Sequence, residues 1–377
     1  MLSHYDSSRV LKMICVTWFI TKIICYKLWF AERLFPLVPV HEMLSSLPPL
    51  LHSIFFISSL ACMVILLFFP NKKVAAILLL LELLSCSLDQ NRWQPWEYQF
   101  IFMLAGYVFI KDEKQIRFSW QLIIAGLFFF SGISKLNNAF IHDIWQHLML
   151  RRWLGINTIT PWLNRTGYML PLIEMVAGIG LLIKMTRRIA VWVLCLMHLF
   201  ILLMLAPFGL NINAVIWPWN LSMPLLLVSL FYNTAFELRY FRSPNFFSWM
   251  VLLCWWILPW LQLKGYWDKY LSSVLYSGGV EQLFICTDNP AAKKQMAPYF
   301  NSTFRIIPCS TSLSVYNWGI KEMKTAPYPE PRVFKAIIQA WKKNYPGTID
   351  RFYLYKPGFA PKVEEVMEEE QIQDTGY

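Results

Sequence analysis

The chain has 377 residues, 56% of them hydrophobic and only 15% charged, with a mean hydropathy of +0.42. That length could hold two or three soluble domains, but so apolar a composition excludes an ordinary soluble multidomain protein. The formal charge of +11 would suggest nucleic acid in a soluble chain. Here the basic residues sit in short clusters between apolar runs, so they read as signals of helix orientation, and nucleic acid is not an expected partner.

Taken in chain order, apolar runs long enough to cross a hydrocarbon core of about 30 Å occur at residues 10–30, 50–69, 73–88, 97–111, 118–135, 167–184, 187–206, 214–232 and 246–263. They predict an all-α polytopic membrane bundle of about nine transmembrane helices over residues 1–263, set in a lipid bilayer. Eight or ten stay open, because several runs are short or share a tight turn. The first run carries Lys22 and Lys27 and lacks a small-residue cleavage site, so it reads as a retained helix lying partly in the interface, not a signal peptide. Aromatic residues make up 17% of the chain, which suits anchoring at both interfaces.

Alternate short loops hold Lys72 and Lys73; Lys111, Lys114 and Arg117; Lys184, Arg187 and Arg188; and Arg239 with Arg242. Positive charge in short loops marks the cytoplasmic side, and Arg9 and Lys12 place the N-terminus there too. The long 136–166 segment, with Arg151, Arg152 and Arg165, is the exception. An odd number of spans then puts residues 264–377 outside the cytoplasm as a small α/β domain. Within it Gln282–Thr287 and Arg351–Tyr355 read as strands, Asn289–Phe300 and Pro331–Tyr345 as helices, and the acidic Glu364–Gln371 as a frayed helix. Six of the eight cysteines lie in apolar runs, where a thiol behaves as a small hydrophobe. Cys286 and Cys309 fall in the tail, where oxidising surroundings would permit a disulfide.

With the runs laid across a membrane, Asp89-to-Tyr98, Ser131-to-Asn138, Phe208-to-Asn213 and Tyr276-to-Gly279 share the face opposite the basic clusters. Lys135 ends the fifth run at that face, and Glu174 lies some 10 Å below it at about 1.5 Å per residue. Ionisable groups inside spans usually face the bundle interior. A lysine at the edge of an apolar pocket can abstract a proton, although taken alone it fits a snorkelling interfacial side chain better. Gly132 permits close helix approach beside it. Glu174 and Glu82 read either as site residues or as buried carboxylates with Arg, Trp or Tyr donors. His198 reads as a proton relay or as a hydrogen-bonded core histidine. Asp89, Gln90, Arg92 and Gln94 suit a cap or ligand wall with Trp93, Trp96 and Tyr98, although Trp93 and Trp96 fit an interfacial aromatic belt as well, and Trp217-Pro218-Trp219-Asn220 suggests a kink in the eighth helix. His142 and His147 are five apart with no carboxylate cluster, so no metal is expected.

These residues resemble the vitamin K-dependent γ-carboxylase-like membrane family, with its bacterial horizontally transferred transmembrane (HTTM) modules, over about residues 50–280. Ser131-Gly132-Ile133-Ser134-Lys135-Leu136-Asn137, followed by Phe140, is similar to the family's Ala-Gly-x-Lys-Lys-Leu-Asp run. Asp89, Trp93 and Tyr98 resemble its Asp-x-x-x-Trp-x-x-His-x-Tyr motif, with Trp96 where the histidine belongs. DoxX-like redox-associated membrane proteins are a related possibility that fits the missing histidine. The resemblance implies a carboxylase-like or quinone-linked oxidoreductase of a bacterial inner membrane, its site on the outer face. Lys135 would be the base, Glu174 and Asp89 would orient it, and Trp93, Trp96, Tyr98 and His198 would hold a reduced naphthoquinone. The tail is far shorter than the domain with which carboxylases hold a protein substrate. A second reading is therefore a non-catalytic scaffold or accessory subunit presenting its C-terminal domain to a protein partner. A transporter is a third, without an internal repeat to support it.

Overall fold

A computed structural model describes residues 6–242, 244–300, 307–309, 311–346, 350–357 and 362–366. Helices occupy every predicted apolar run: α1 (Ser7–Ile24), α2 (Leu50–Phe68), α3 (Lys72–Leu88), α4 (Pro95–Phe109), α5 (Glu113–Ser134), α6 (Met169–Gly180), α7 (Arg187–Leu205), α8 (Ile216–Leu227) and α9 (Phe246–Leu252). The last two run on through wider turns as apolar stretches to Tyr232 and Gln262. Among the described residues three helices, α2, α5 and α7, are both long enough and apolar enough to cross a membrane. Length and composition thus support three crossings, and the expected nine is not shown.

The surfaces of these helices fit an integral membrane protein. α5 is the central one, with 89% of its span buried, against 28% for α2 and 33% for α7. The outer helices expose Leu50, Phe68, Ile189, Leu196 and Leu221, as side chains facing lipid would. α1 departs from its expected place in the interface. Its Lys22 is fully buried and donates to Glu82 at 2.7 Å, with the ammonium 3.0 Å from the centre of the Trp29 ring. The charge that suggested an interfacial helix is neutralised inside the bundle, so α1 packs there. The same contact assigns Glu82 to structure, with a lysine as partner.

The two ends of the bundle differ chemically. At one end Glu113 accepts from the Ser7 N–H at 3.0 Å, Arg117 pairs with Glu237 at 3.3 Å, and Arg187 donates to the Thr234 carbonyl at 2.8 Å. The basic loops gather there. At the other end lie the 89–98, 131–138, 208–213 and 276–279 segments, joined by Asn137 Nδ2 donating to the Ser277 carbonyl at 3.1 Å and by the contact of Asn213 with Tyr276.

The tail forms a four-stranded antiparallel sheet in the order β2-β1-β3-β4, made of β1 (Gln282–Cys286), β2 (Ser312–Ser314), β3 (Arg351–Lys356) and β4 (Lys362–Glu365). Its helices are α10 (Pro290–Gln295), α11 (Val315–Met323) and α12 (Pro331–Asn344). Pro290 and Pro331 open their helices at the first position, where the missing N–H is not needed, and Asn289 caps the former. Residues 364–365, expected to begin a frayed helix, lie in β4 instead; beyond residue 366 that expectation lies outside the described residues. Cys286 and Cys309 form a disulfide with their Cα atoms 6.3 Å apart.

Candidate functional site: a polar cavity in the bundle and a docked tail

Lys135 and Glu174 meet because α5 and α6 pack with almost no gap. A Cβ added to Gly132 would lie 2.6 Å from the Met175 N and the Pro171 O, so only glycine allows this approach. Lys135 closes the C-terminus of α5, where a cation complements the helix dipole, and its Nζ is fully engaged. It donates to Glu174 Oε2 at 2.7 Å, to Oε1 at 3.1 Å and to Ser131 Oγ at 2.8 Å. Glu174 is buried and Lys135 nearly so. The pair is compact, and both carboxylate oxygens keep a free lone pair for a further donor.

These groups line a cavity of about 410 Å³ that also takes in His198, Asn213, Asn220 and Tyr276, a volume within the range of small-molecule sites. Its walls include Phe128, Ile201, Leu205, Ile216 and Trp219. Phe140–Trp153, a wide-turn helix where the sequence reads as a long loop, covers one side with Phe140, Ile144 and Leu148. His198 is buried, and its Nδ1 lies 2.8 Å from Asn220 Oδ1. Asn220 Nδ2 donates to the Ile216 carbonyl at 2.9 Å, which fixes the amide with Oδ1 toward the ring. His198 therefore carries its proton on Nδ1, leaving Nε2 as an acceptor, and Nε2 has no partner among the described residues. Pro218 lies in the first turn of α8, where its missing N–H breaks no helical bond.

Residues 114–211 match the family model of methylamine utilisation protein MauE. The matched stretch is well under half of the chain, and it carries Lys135, Glu174 and His198. No curated protein and no solved structure matches the chain. The match overturns the expected likeness to the γ-carboxylase-like, HTTM and DoxX-like families. Gly-x-Ser-Lys-Leu is too short a motif to separate membrane families that share helices of this kind. The reduced naphthoquinone implied by that likeness loses its support with it.

Asp89, Trp93, Trp96 and Tyr98 do not line the cavity; of the 89–98 loop only Pro95 reaches it. Asp89 pairs with Arg33, both side chains fully buried, and accepts from the Val38 N–H at 3.2 Å and Asn91 Nδ2 at 2.9 Å. Trp96 is buried in an edge contact with Trp29, and Trp93 stacks on Tyr98 at 4.7 Å.

The rest of the loop holds the tail. Gln94 Nε2 donates to the Ala326 carbonyl at 2.9 Å and its Oε1 accepts from Thr325 at 2.9 Å. Asn91 Oδ1 accepts from the Tyr328 N–H at 3.1 Å, and Gln90 Oε1 from Arg332 at 2.6 Å. Glu322 reaches back to accept from the Leu34 and Phe35 N–H groups at 2.6 and 3.1 Å. Tyr98 and Tyr328 share a hydrogen bond of 2.8 Å beside Asp268. Burial pushes the Asp268 and Glu330 carboxyls above their usual range, against Arg332 and, at Glu330, Lys269. Glu322, Arg33 and the 325–332 turn were not singled out from sequence. Nothing in a loop's composition names a partner more than 200 positions away.

Proposed function

We propose that this is a non-catalytic accessory membrane protein whose helical bundle fixes the orientation of the disulfide-closed C-terminal domain for a protein partner. The observation that carries this reading is the fate of the 89–98 loop. Gln90, Asn91 and Gln94, the directional groups that a catalytic wall would use, are spent on holding residues 325–332. The similarity of residues 114–211 to methylamine utilisation protein MauE supports a supporting role in methylamine utilisation. The Cys286–Cys309 disulfide and the basic loops at the far end support a domain outside the cytoplasm, with the N-terminus inside.

The test is photocrosslinking in the source organism's membranes from Lys294 and Lys343, two exposed positions of the domain. Expected is a discrete adduct whose yield falls when Gln94→Leu loosens the domain and holds in Lys135→Met. An adduct indifferent to Gln94→Leu, or none in cells using methylamine, would overturn the reading.

A further inference from the structure

We propose that the cavity between α5, α6, α7 and α8 binds a small apolar aromatic molecule bearing a hydroxyl, which donates its O–H to His198 Nε2. One wall belongs to the tail, through Tyr316 of α11. Four observations bear on it.

The first is the histidine itself. Its tautomer is fixed through Asn220 and Ile216, and a buried acceptor left without a donor is costly to fold. An incoming O–H satisfies it; an incoming carbonyl or anion meets a lone pair. The second is the surrounding polarity. Lys135 has no donor left over after Ser131 and both Glu174 oxygens, so the cation does not select an anionic ligand. What the polar groups offer a newcomer is acceptors: His198 Nε2, the spare Glu174 lone pairs and Asn213 Oδ1. A donor-bearing, uncharged ligand fits that set.

The third is shape and wall. Phe128, Phe140, Phe200, Trp219, Tyr276 and Tyr316 line the space, and aromatic rings favour edge and offset contacts with a ring between them. The fourth is backbone strain at one side of the cavity. Asn213, Ser273 and Tyr276, all lining residues, hold φ values of 49°, 59° and 60°. Non-glycine residues in this region are strained, and such residues cluster at ligand clamps.

The test uses the full-length protein in detergent micelles, titrated calorimetrically with 4-propylphenol and with propylbenzene, each corrected against empty micelles. Expected is saturable binding of the phenol about tenfold tighter than the hydrocarbon. His198→Phe keeps a ring of similar size and removes the acceptor, so the two probes should then bind equally. Leu205→Trp fills the cavity from another wall and should block both, which keeps the test decisive if the first variant folds poorly. Equal affinity of the two probes for the wild type would overturn the proposal, as would a phenol preference that survives in folded His198→Phe. Failure of the phenol to bind folded wild type would overturn it too.

Discussion

Gln94 is the residue on which the docking of the tail turns. Its side chain is 2% exposed and serves three neighbours at once: the carbonyls of Asn91 and Ala326, at 2.8 and 2.9 Å, and the Thr325 hydroxyl at 2.9 Å. Gln94→Leu preserves bulk and strands all three. At about 1 kcal/mol or more for each buried group left unpaired, undocking becomes easier by roughly 3 kcal/mol. At 1.4 kcal/mol per factor of ten that is on the order of a hundredfold in the opening equilibrium. Amide hydrogen exchange reads it directly. Residues 322–330 should exchange about a hundredfold faster in the variant, while β1 and β3 keep their protection because the sheet is internally bonded. Unchanged exchange would mean that the bonds of Gln94 to Ala326 and Thr325 do not hold the domain. A uniform acceleration across sheet and turn would mean that the domain depends on the bundle to fold, contradicting a folded unit held by a removable contact.

Three further outcomes are expected. Asp89→Ala leaves the Arg33 guanidinium buried without its carboxylate, and loss of one partner of such a pair costs about 3–5 kcal/mol; chemical unfolding in micelles should show it, with much of the loss recovered in Arg33→Met/Asp89→Leu. Gly132→Ala forces its Cβ against the Met175 and Pro171 backbone at 2.6 Å, an overpacking worth about 1–3 kcal/mol, so thermal unfolding should shift down. The third concerns pH. The folded-state pKa of Asp268 is raised, first by burial, so its contribution is fully present below the unfolded carboxyl value of about 3.9 and is lost as pH rises through the folded value. Thermal stability scanned from pH 4 to pH 8 should fall less in Asp268→Asn than in wild type; parallel curves would contradict the assignment.

The sequence made the bundle legible where its signals are local and periodic. Apolar runs gave the helices, Pro290 and Pro331 gave two helix starts, and the basic loops gave the two ends. Lys135, Glu174 and His198 could be suspected because an ionisable residue in an apolar run must face something polar, and the structure brings all three to one cavity. Asn220 was within reach of the same argument, since a buried histidine needs a partner. What sequence could not give was pairing at a distance. Trp96 and Asp89 look like site residues because aromatic and charged groups crowd a short loop, yet Asp89 meets Arg33, and Gln94 meets a turn more than 200 residues on. Motif likeness misled for a related reason: a short Gly-x-Ser-Lys-Leu run records a helix end packed closely on a neighbour, a local demand that carries no family identity.

The most direct test of a display role over a catalytic one is growth on methylamine of a strain lacking this protein, complemented with wild type, Lys135→Met or Gln94→Leu at equal abundance in the membrane. Wild type and Lys135→Met are expected to restore growth, and Gln94→Leu is not. Growth restored by Gln94→Leu but lost with Lys135→Met would contradict the accessory reading and place the function in chemistry at the lysine.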